Sequence, residues 1–536
     1  MREIGGAPPK GIPAVSQDME TVIGLEVHVE LTTETKLFCG CSTAFGAEPN
    51  THVCPVCLGL PGVLPVANGV AIERSVLTAL ALGCRIAPWF KFDRKHYYYP
   101  DLPKNFQISQ YDTPLSSDGK VDLSNGRTIR IKRLHLEEDA GKLVHEGAGD
   151  RIGGGTAALC DYNRAGIPLM EVVSEPDLKD PSEAVEYLKR IQSLVRYLGV
   201  SDANMEEGRL RCDANISVRP VGTTELGAKI EIKNMNSFRG VEKALTHEAE
   251  RQRTALAAGE KLRQETRLWD EDAGTTRAMR GKEGAQDYRY FPEPDLLPFT
   301  FNEARIAAIR ARLPELPAAR RARYVSGFGL PDYDADVLTA DRETADYYES
   351  TLSALFLGKT AEPMEPTATS DSEPAFTLQP GGQSLPSGMT SAYIPISLPK
   401  MTSNWISTEL LGALNKAGKS IANSPVKADS LARLIELIED STISGKIAKT
   451  VFAEMFASGR GPDEIVKEKG LVQITDEGAI RKAVAGVLAA NAKSVADFKA
   501  GKQAAMGFLV GQVMKATGGK ANPKLANQLL KEELSK

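Results

Sequence analysis

The chain's 536 residues exceed what a single hydrophobic core organises, so about three or four domains are expected. Apolar residues at 42% and charged residues at 25% match an ordinary globular protein, which excludes fibrous and wholly disordered classes. The net charge of −5 hides an asymmetry: residues 481–536 carry ten Lys and Arg against three acids, +7, leaving −12 for residues 1–480. A basic end on an acidic body suits a polyanion-binding appendage, and equally a solvated helical face.

Residues 1–20, "MREIGGAPPKGIPAVSQDME", hold no apolar run of signal-peptide length and read as a disordered N-terminal arm. No later segment approaches the roughly 18–20 apolar residues of a membrane span, so a cytoplasmic protein without membrane association is expected. "VIGLEVHVEL", residues 22–31, alternates: an extended backbone puts Glu26, His28 and Glu30 on one face and Leu25, Val27, Val29 and Leu31 on the other.

Cys39-Gly-Cys41 and Cys54-Pro-Val-Cys57 follow, with twelve residues between the pairs. Two such turns can supply the four thiolates of tetrahedral zinc, and a filled sulfur shell makes that metal structural. A competing reading joins His28-Val-Glu30 to Cys54 and Cys57 as a deaminase-type catalytic zinc, but the proline lies inside the Cys pair and two further cysteines can close the shell. Cys84, Cys160 and Cys212 read as small buried side chains.

The tract "RKHYYYPDLPKNFQISQYD" sets His96, Tyr97, Tyr98, Tyr99, Phe106 and Tyr111 beside Arg94, Lys95 and Lys104. Such rings can stack a nucleotide base or fill a core. Further on, "RTIRIKRLHL", "PLMEVV", "CDANISV" and "KIEIKNM" have the pattern of strands with one wet face, and "DPSEAVEYLKRIQSLVRYLGV" that of a helix closed by Gly199.

These strands carry Glu137, Glu138, Asp139, Glu171, Asp213 and Glu231 among Lys and Arg. Strict alternation sends Glu137 and Glu138 to opposite faces unless a bulge or the strand's end re-aims one. Converging carboxylates repel unless a cation lies between them, and oxygen ligands with an imidazole suit Mg²⁺ bridging to phosphate. The chain has neither G-x-x-x-x-G-K-[ST] nor G-x-G-x-x-G, so any nucleotide would be held by metal and by cations such as Arg209, Arg211 and Lys233 rather than by a glycine cradle.

After "YFPEPDLLP" the pattern turns helical, as in "NEARIAAIRARL". Residues 359–390 include nine Ser or Thr, five Pro and three Gly with no apolar period, the composition of a disordered insertion. Residues 441–536 read as short helices broken at "SGRGP", "ATGGK" and "NP".

"IGLEVHVEL", "FGAEPN", "PGVLPVAN", "KFDRKHYYYPDLPKNFQISQ", "LHLEEDAGK", "DYNRAGIPLMEVVSEPD", "MEEGRLRCDANIS" and "DYRYFPEPDLLP" resemble, in order, the B subunits of aspartyl/glutamyl-tRNA(Asn/Gln) amidotransferases. The resemblance implies an α+β fold: an antiparallel-sheet cradle similar to glutamine synthetase at 21–298 with the zinc loop at 39–57, an all-α domain at 299–440 with the insertion, and a helical tRNA-binding tail at 441–536.

It implies ATP-dependent conversion of misacylated Glu-tRNA(Gln) or Asp-tRNA(Asn) to the amide. Ammonia would be drawn from an amidase, the A subunit of the family's heterotrimer, and the small C subunit would complete the complex. The Cys quartet occurs in part of the family, which fits a structural role. Carried over, the Mg²⁺ ligands are His28, Glu138 and Glu171, with Glu26, Glu137 and Asp213 lining the same site. The tail would grip tRNA through phosphates, with Lys482, Lys493 and Lys502 as contacts, since its aromatics are four phenylalanines. Two rivals stand beside this: a carboxylate-amine ligase on a free metabolite, which leaves the basic tail unexplained, and a zinc-stapled RNA-binding protein without catalysis, which leaves the acidic sheet face unexplained.

Overall fold

Alternation governs the first strand, Met19–Glu30. Leu25, Val27 and Val29 are buried while Glu26, His28 and Glu30 are half-buried on the other side. The computed structural model describes residues 18–146, 157–279, 288–357, 397–472, 476–499, 502, 504–518 and 520–535. The expected N-terminal arm, save its last residues, and the 359–390 insertion lie outside these. The chain forms two compact units, the first ending at Leu316 and the second beginning at Pro317.

The first unit is built on a nine-stranded sheet. In spatial order its strands are Thr275–Ala278, Glu265–Asp270, Ile230–Lys233, Leu210–Pro220, Met19–Glu30, Pro168–Ser174, Thr128–Glu138, Ser116–Asp122 and Arg85–Ile86. Neighbours are antiparallel throughout except Ile230–Lys233 and Glu265–Asp270, which run parallel. The exception has a local cause: the helix Phe238–Ala257 crosses between those two strands, as a parallel connection requires. The antiparallel cradle read from the sequence is therefore a mixed sheet.

The apolar side of this sheet is covered by helices Gly69–Ala81, Pro181–Tyr197 and Phe238–Ala257, whose Val76, Leu188, Ile191 and Leu245 join Leu25, Val27 and Met170 in one core. The helix Pro181–Tyr197 begins where Asp180 accepts from the Ser182 N–H, with proline in the first turn, and ends as Gly199 takes φ 64°, open to glycine at little cost. With its helices on one side, the sheet leaves the polar side of the first strand free to build a site. A three-stranded sheet, Arg289–Pro292, Asp93–His96 and Phe106–Ser109, packs at the end of the Thr128–Glu138 strand.

The boundary expected at residue 298 lies farther on. Phe299, Phe301, Ile306, Ile309, Leu313 and Leu316 pack into the core of the first unit, so the helix Glu303–Arg310 belongs to it. The second unit is helical. Helices Gly445–Ser458 and Pro462–Glu468 pack on Ala428–Glu439, and a separate apolar cluster begins only with Ile480, Val484, Leu509, Leu529 and Leu530. The expected tail thus starts as a packing unit near residue 477 rather than 441. Among the described residues, no helix is long and apolar enough to cross a membrane.

Candidate active site and metal centres

Strand register assembles the polar face. His135, Glu171, His28 and Arg211 stand directly opposite one another across four adjacent strands. One step along one end are Glu137, Leu169 and Glu30; one step the other way are Arg133, Val173, Glu26 and Asp213. Residues from four segments far apart in sequence therefore share one surface because cross-strand partners point the same way.

His28, Glu137 and Glu171 offer ligand atoms that all lie within 4.8 Å of one another. His28 Nε2 is 3.6 Å from Glu171 Oε2 and 3.9 Å from Glu137 Oε1. His135 Nε2 lies 3.2 Å from Glu171 Oε2 and 3.7 Å from Glu137 Oε2, and Ser109 Oγ donates to Glu137 at 2.8 Å. Burial works against charge on Glu171, but His135 and His28 outweigh it and hold its carboxyl well below the usual range. Burial also disfavours imidazolium at His135, yet Glu171 and Glu137 push it up to about 9. Two carboxylates this close call for positive charge, supplied here by imidazoles; this donor set, oxygen with nitrogen, fits a divalent cation.

The expected ligand set His28, Glu138 and Glu171 is corrected by this geometry. Glu138 follows Glu137 in a regular strand with no bulge between them, so alternation carries it to the opposite face. There it accepts from Lys104 Nζ at 2.7 Å and from the Ile108 N–H at 2.9 Å. It lines a cavity of about 210 Å³ with Lys36, Cys39, Cys57, Arg94 and Glu293. Glu137 occupies the place assigned to Glu138.

The remaining expected residues flank the trio. Glu26 accepts from Asn215 Nδ2 at 3.0 Å, and Lys233 Nζ pairs with Asp213 at 2.7 Å and Glu231 at 3.0 Å. Arg211 pairs with Asp139 at 2.7 Å beside Glu30. Burial and Asp139 push Glu30 up to about 8, while Arg211 and Arg164 overcome burial and hold Asp139 down to about 2. Arg209 turns to Asp202 at 2.6 Å and Glu207 at 3.1 Å, with its guanidinium over the Phe45 ring. All three expected phosphate-binding cations are therefore engaged by acids.

Sequence reasoning missed His135 and placed Lys95 only beside the aromatic tract, not beside the carboxylates. Lys95 comes from the small sheet; its ammonium lies 4.8 Å from the Tyr288 ring centroid and 5.8 Å from that of Tyr97. Burial opposes its charge, but Glu137, Tyr290 and Glu171 keep it protonated above the usual lysine range. Its signal was the alternation of Asp93, Lys95 and Tyr97. His135 sits two residues before Glu137 in "HLE", the spacing that shares a strand face.

The four thiols of Cys39, Cys41, Cys54 and Cys57 also lie within 4.8 Å of one another. Cys54 and Cys57 sulfurs are 3.9 Å apart, close to the roughly 3.8 Å edge of a tetrahedron with 2.3 Å zinc–sulfur bonds. Lys36 Nζ stands 3.7 Å from Cys57 Sγ, placed to offset thiolate charge. His28 belongs to the carboxylate group and not to this one, which removes the deaminase-type reading. Of the other cysteines, Cys84 and Cys212 are buried as expected, whereas Cys160 is only half-buried, in a separate two-stranded sheet with Lys142–Glu146. In the second unit, Lys482, Lys493 and Lys502 are exposed, and Lys502 pairs with Asp497 at 2.9 Å.

Residues 21–307 match the family model of the GatB/GatE catalytic domain, and residues 390–534 that of the GatB domain. The B subunit of the aspartyl/glutamyl-tRNA(Asn/Gln) amidotransferase from Carboxydothermus hydrogenoformans is 51% identical over 523 residues, 97% of this chain and 100% of that protein. The protein of the same name from Moorella thermoacetica is 53% identical over 520 residues, covering 96% and 100%. That of Crocosphaera subtropica is 48% identical over 530 residues, covering 97% and 99%.

Proposed function

This chain belongs to the family of aspartyl/glutamyl-tRNA(Asn/Gln) amidotransferase B subunits, and from that premise we propose that its polar sheet face carries the chemistry of ATP-dependent transamidation on misacylated tRNA. The substrate brings its own nucleophile. The free side-chain carboxylate of a Glu or Asp that is esterified to tRNA through its α-carboxyl attacks the γ-phosphorus of ATP and expels ADP. Ammonia then adds to the acyl phosphate, phosphate leaves, and the amide remains on the tRNA.

The protein's task is to position these groups and offset their charge. Held by His28, Glu137 and Glu171, Mg²⁺ would supply positive charge to the phosphoryl group being transferred. Arg211 and Lys233, each already charged and poised by acids, bind phosphate oxygens by exchanging one anionic partner for another. Glu26 and Asp213 border that floor, Asp213 keeping Lys233 oriented and Glu26 held by Asn215. The cysteine quartet takes zinc and staples its loop without entering the reaction.

The reading extends to the assembly. Ammonia comes from the amidase of the heterotrimer, its A subunit, with the small C subunit holding the pair. The tail grips tRNA phosphates with Lys482, Lys493 and Lys502 in the cytoplasm. The observation that carries the reading is the meeting of His28, Glu137 and Glu171 from three strands on one face.

The test is ATP cleavage by the purified chain with ammonium, with and without Glu-tRNA(Gln) or Asp-tRNA(Asn). Turnover strictly dependent on the misacylated tRNA is expected. Turnover without tRNA would identify a ligase acting on a free metabolite, and none under either condition a binding protein.

A further inference from the structure

A second imidazole faces the same two carboxylates as His28. His135 is 2% exposed, and its Nε2 lies within 3.7 Å of both Glu137 Oε2 and Glu171 Oε2. Its Nδ1 is buried and has no hydrogen-bond partner. The ring nitrogen that faces the two acids is therefore Nε2. His135 comes from the same strand as Glu137 and stands in register with Glu171, so the ring is fixed to both acids by backbone geometry rather than by a flexible loop.

We propose that His135 is a positioning residue whose Nε2 side faces Glu171 at 3.2 Å and Glu137 at 3.7 Å and so sets, by electrostatic attraction to both, the separation at which the two carboxylates receive a divalent cation. The proposal rests on the reading of His28, Glu137 and Glu171 as a metal site. Carboxylates left alone at this distance repel and swing apart. An imidazole lying between them keeps one oxygen of each turned inward, while Ser109 Oγ fixes Glu137 from a further side. Partners of metal ligands commonly control affinity in this way, with losses of roughly 10–100-fold when they are removed.

Two substitutions separate a bridge from mere filling of space. In His135→Gln the amide nitrogen falls near the position of Nε2 and still presents a polar N–H to both acids. In His135→Asn it falls near Nδ1 and cannot reach. The full chain, purified with its partner subunits and stripped of divalent ions, is titrated with Mn²⁺ without ATP and followed by electron paramagnetic resonance. Thermal melting is recorded in parallel.

We expect His135→Asn to weaken Mn²⁺ binding about 10–100-fold and to raise the Mg²⁺ concentration for half-maximal activity, with kcat recovered at saturating Mg²⁺. His135→Gln should stay within about threefold of the unmodified protein, the retained donor setting that limit. Equal affinity in His135→Asn and the unmodified protein would overturn the proposal. So would an equal loss in His135→Gln and His135→Asn, which would mark an imidazole-specific metal ligand or a packing role. Failure of the unmodified protein to bind Mn²⁺ at this face would instead refute the metal reading on which the proposal stands.

Discussion

The first unit contains two clusters of metal-ligating side chains built on opposite plans. One is soft and local: four cysteines from a span of nineteen residues, on two turns, with sulfur atoms close enough to fill a tetrahedral shell. The other is hard and dispersed: His28, Glu137 and Glu171 come from three strands and offer three ligands on the polar face of a sheet. A closed thiolate shell would leave no position for substrate. Three ligands leave positions open, so the second cluster can present a cation to phosphate. What separates the two clusters is the number of ligand atoms each supplies and the elements that hold them.

Breaking the dispersed centre should have the largest effect. Glu137→Gln is expected to lower transamidation at least a hundredfold and to weaken Mn²⁺ binding, with tRNA affinity and melting temperature nearly unchanged, as measured by single-turnover assays and filter binding. Its sequence neighbour sharpens the comparison. Glu138→Gln, on the cavity side, leaves Lys104 without its buried anionic partner and should cost about 1–3 kcal/mol in denaturant titrations. Its Mn²⁺ affinity should stay close to that of the unmodified protein.

The local centre should fail differently. Cys54→Ser is expected to release zinc, read by a chromophoric chelator, and to lower the melting temperature, while turnover assayed well below that temperature is kept. A stable but inactive Cys54→Ser protein would assign zinc a chemical role. Smallest of all, Lys482→Ala or Lys493→Ala should weaken tRNA binding uniformly across sequences and reduce the slope of log affinity against log salt by about one each.

Much of the dispersed centre was legible because strands announce their faces. The pattern of "VIGLEVHVEL" assigns Glu26 and His28 to one side and Leu25 and Val27 to the other, and burial follows that pattern. The same alternation decides between Glu137 and Glu138, and it outweighs the motif-based choice of Glu138. The grouping of the four thiols was legible because they fall within one short segment.

Other features could not be read from sequence because they depend on distant pairing. Arg211 meets Asp139 across 72 positions, so an expected phosphate ligand is found held by an acid. Lys95 reaches the site from a separate small sheet whose register no local pattern sets. The helix Glu303–Arg310 looks like the start of a helical domain, yet its Ile306 and Ile309 complete the core of the first unit. Helical periodicity gives an apolar face but not the surface that face will cover.

The central claim is that carboxylates and imidazole from separate strands hold a divalent cation on the sheet's polar face. Crystals of the assembled enzyme soaked in Mn²⁺ test it directly through anomalous scattering. The account predicts a peak about 2.0–2.3 Å from His28 Nε2 and from a carboxylate oxygen of each of Glu137 and Glu171, the range of such bonds to divalent metals. A manganese signal at Glu138 and Lys104, or none on this face at a concentration that supports full activity, would contradict it.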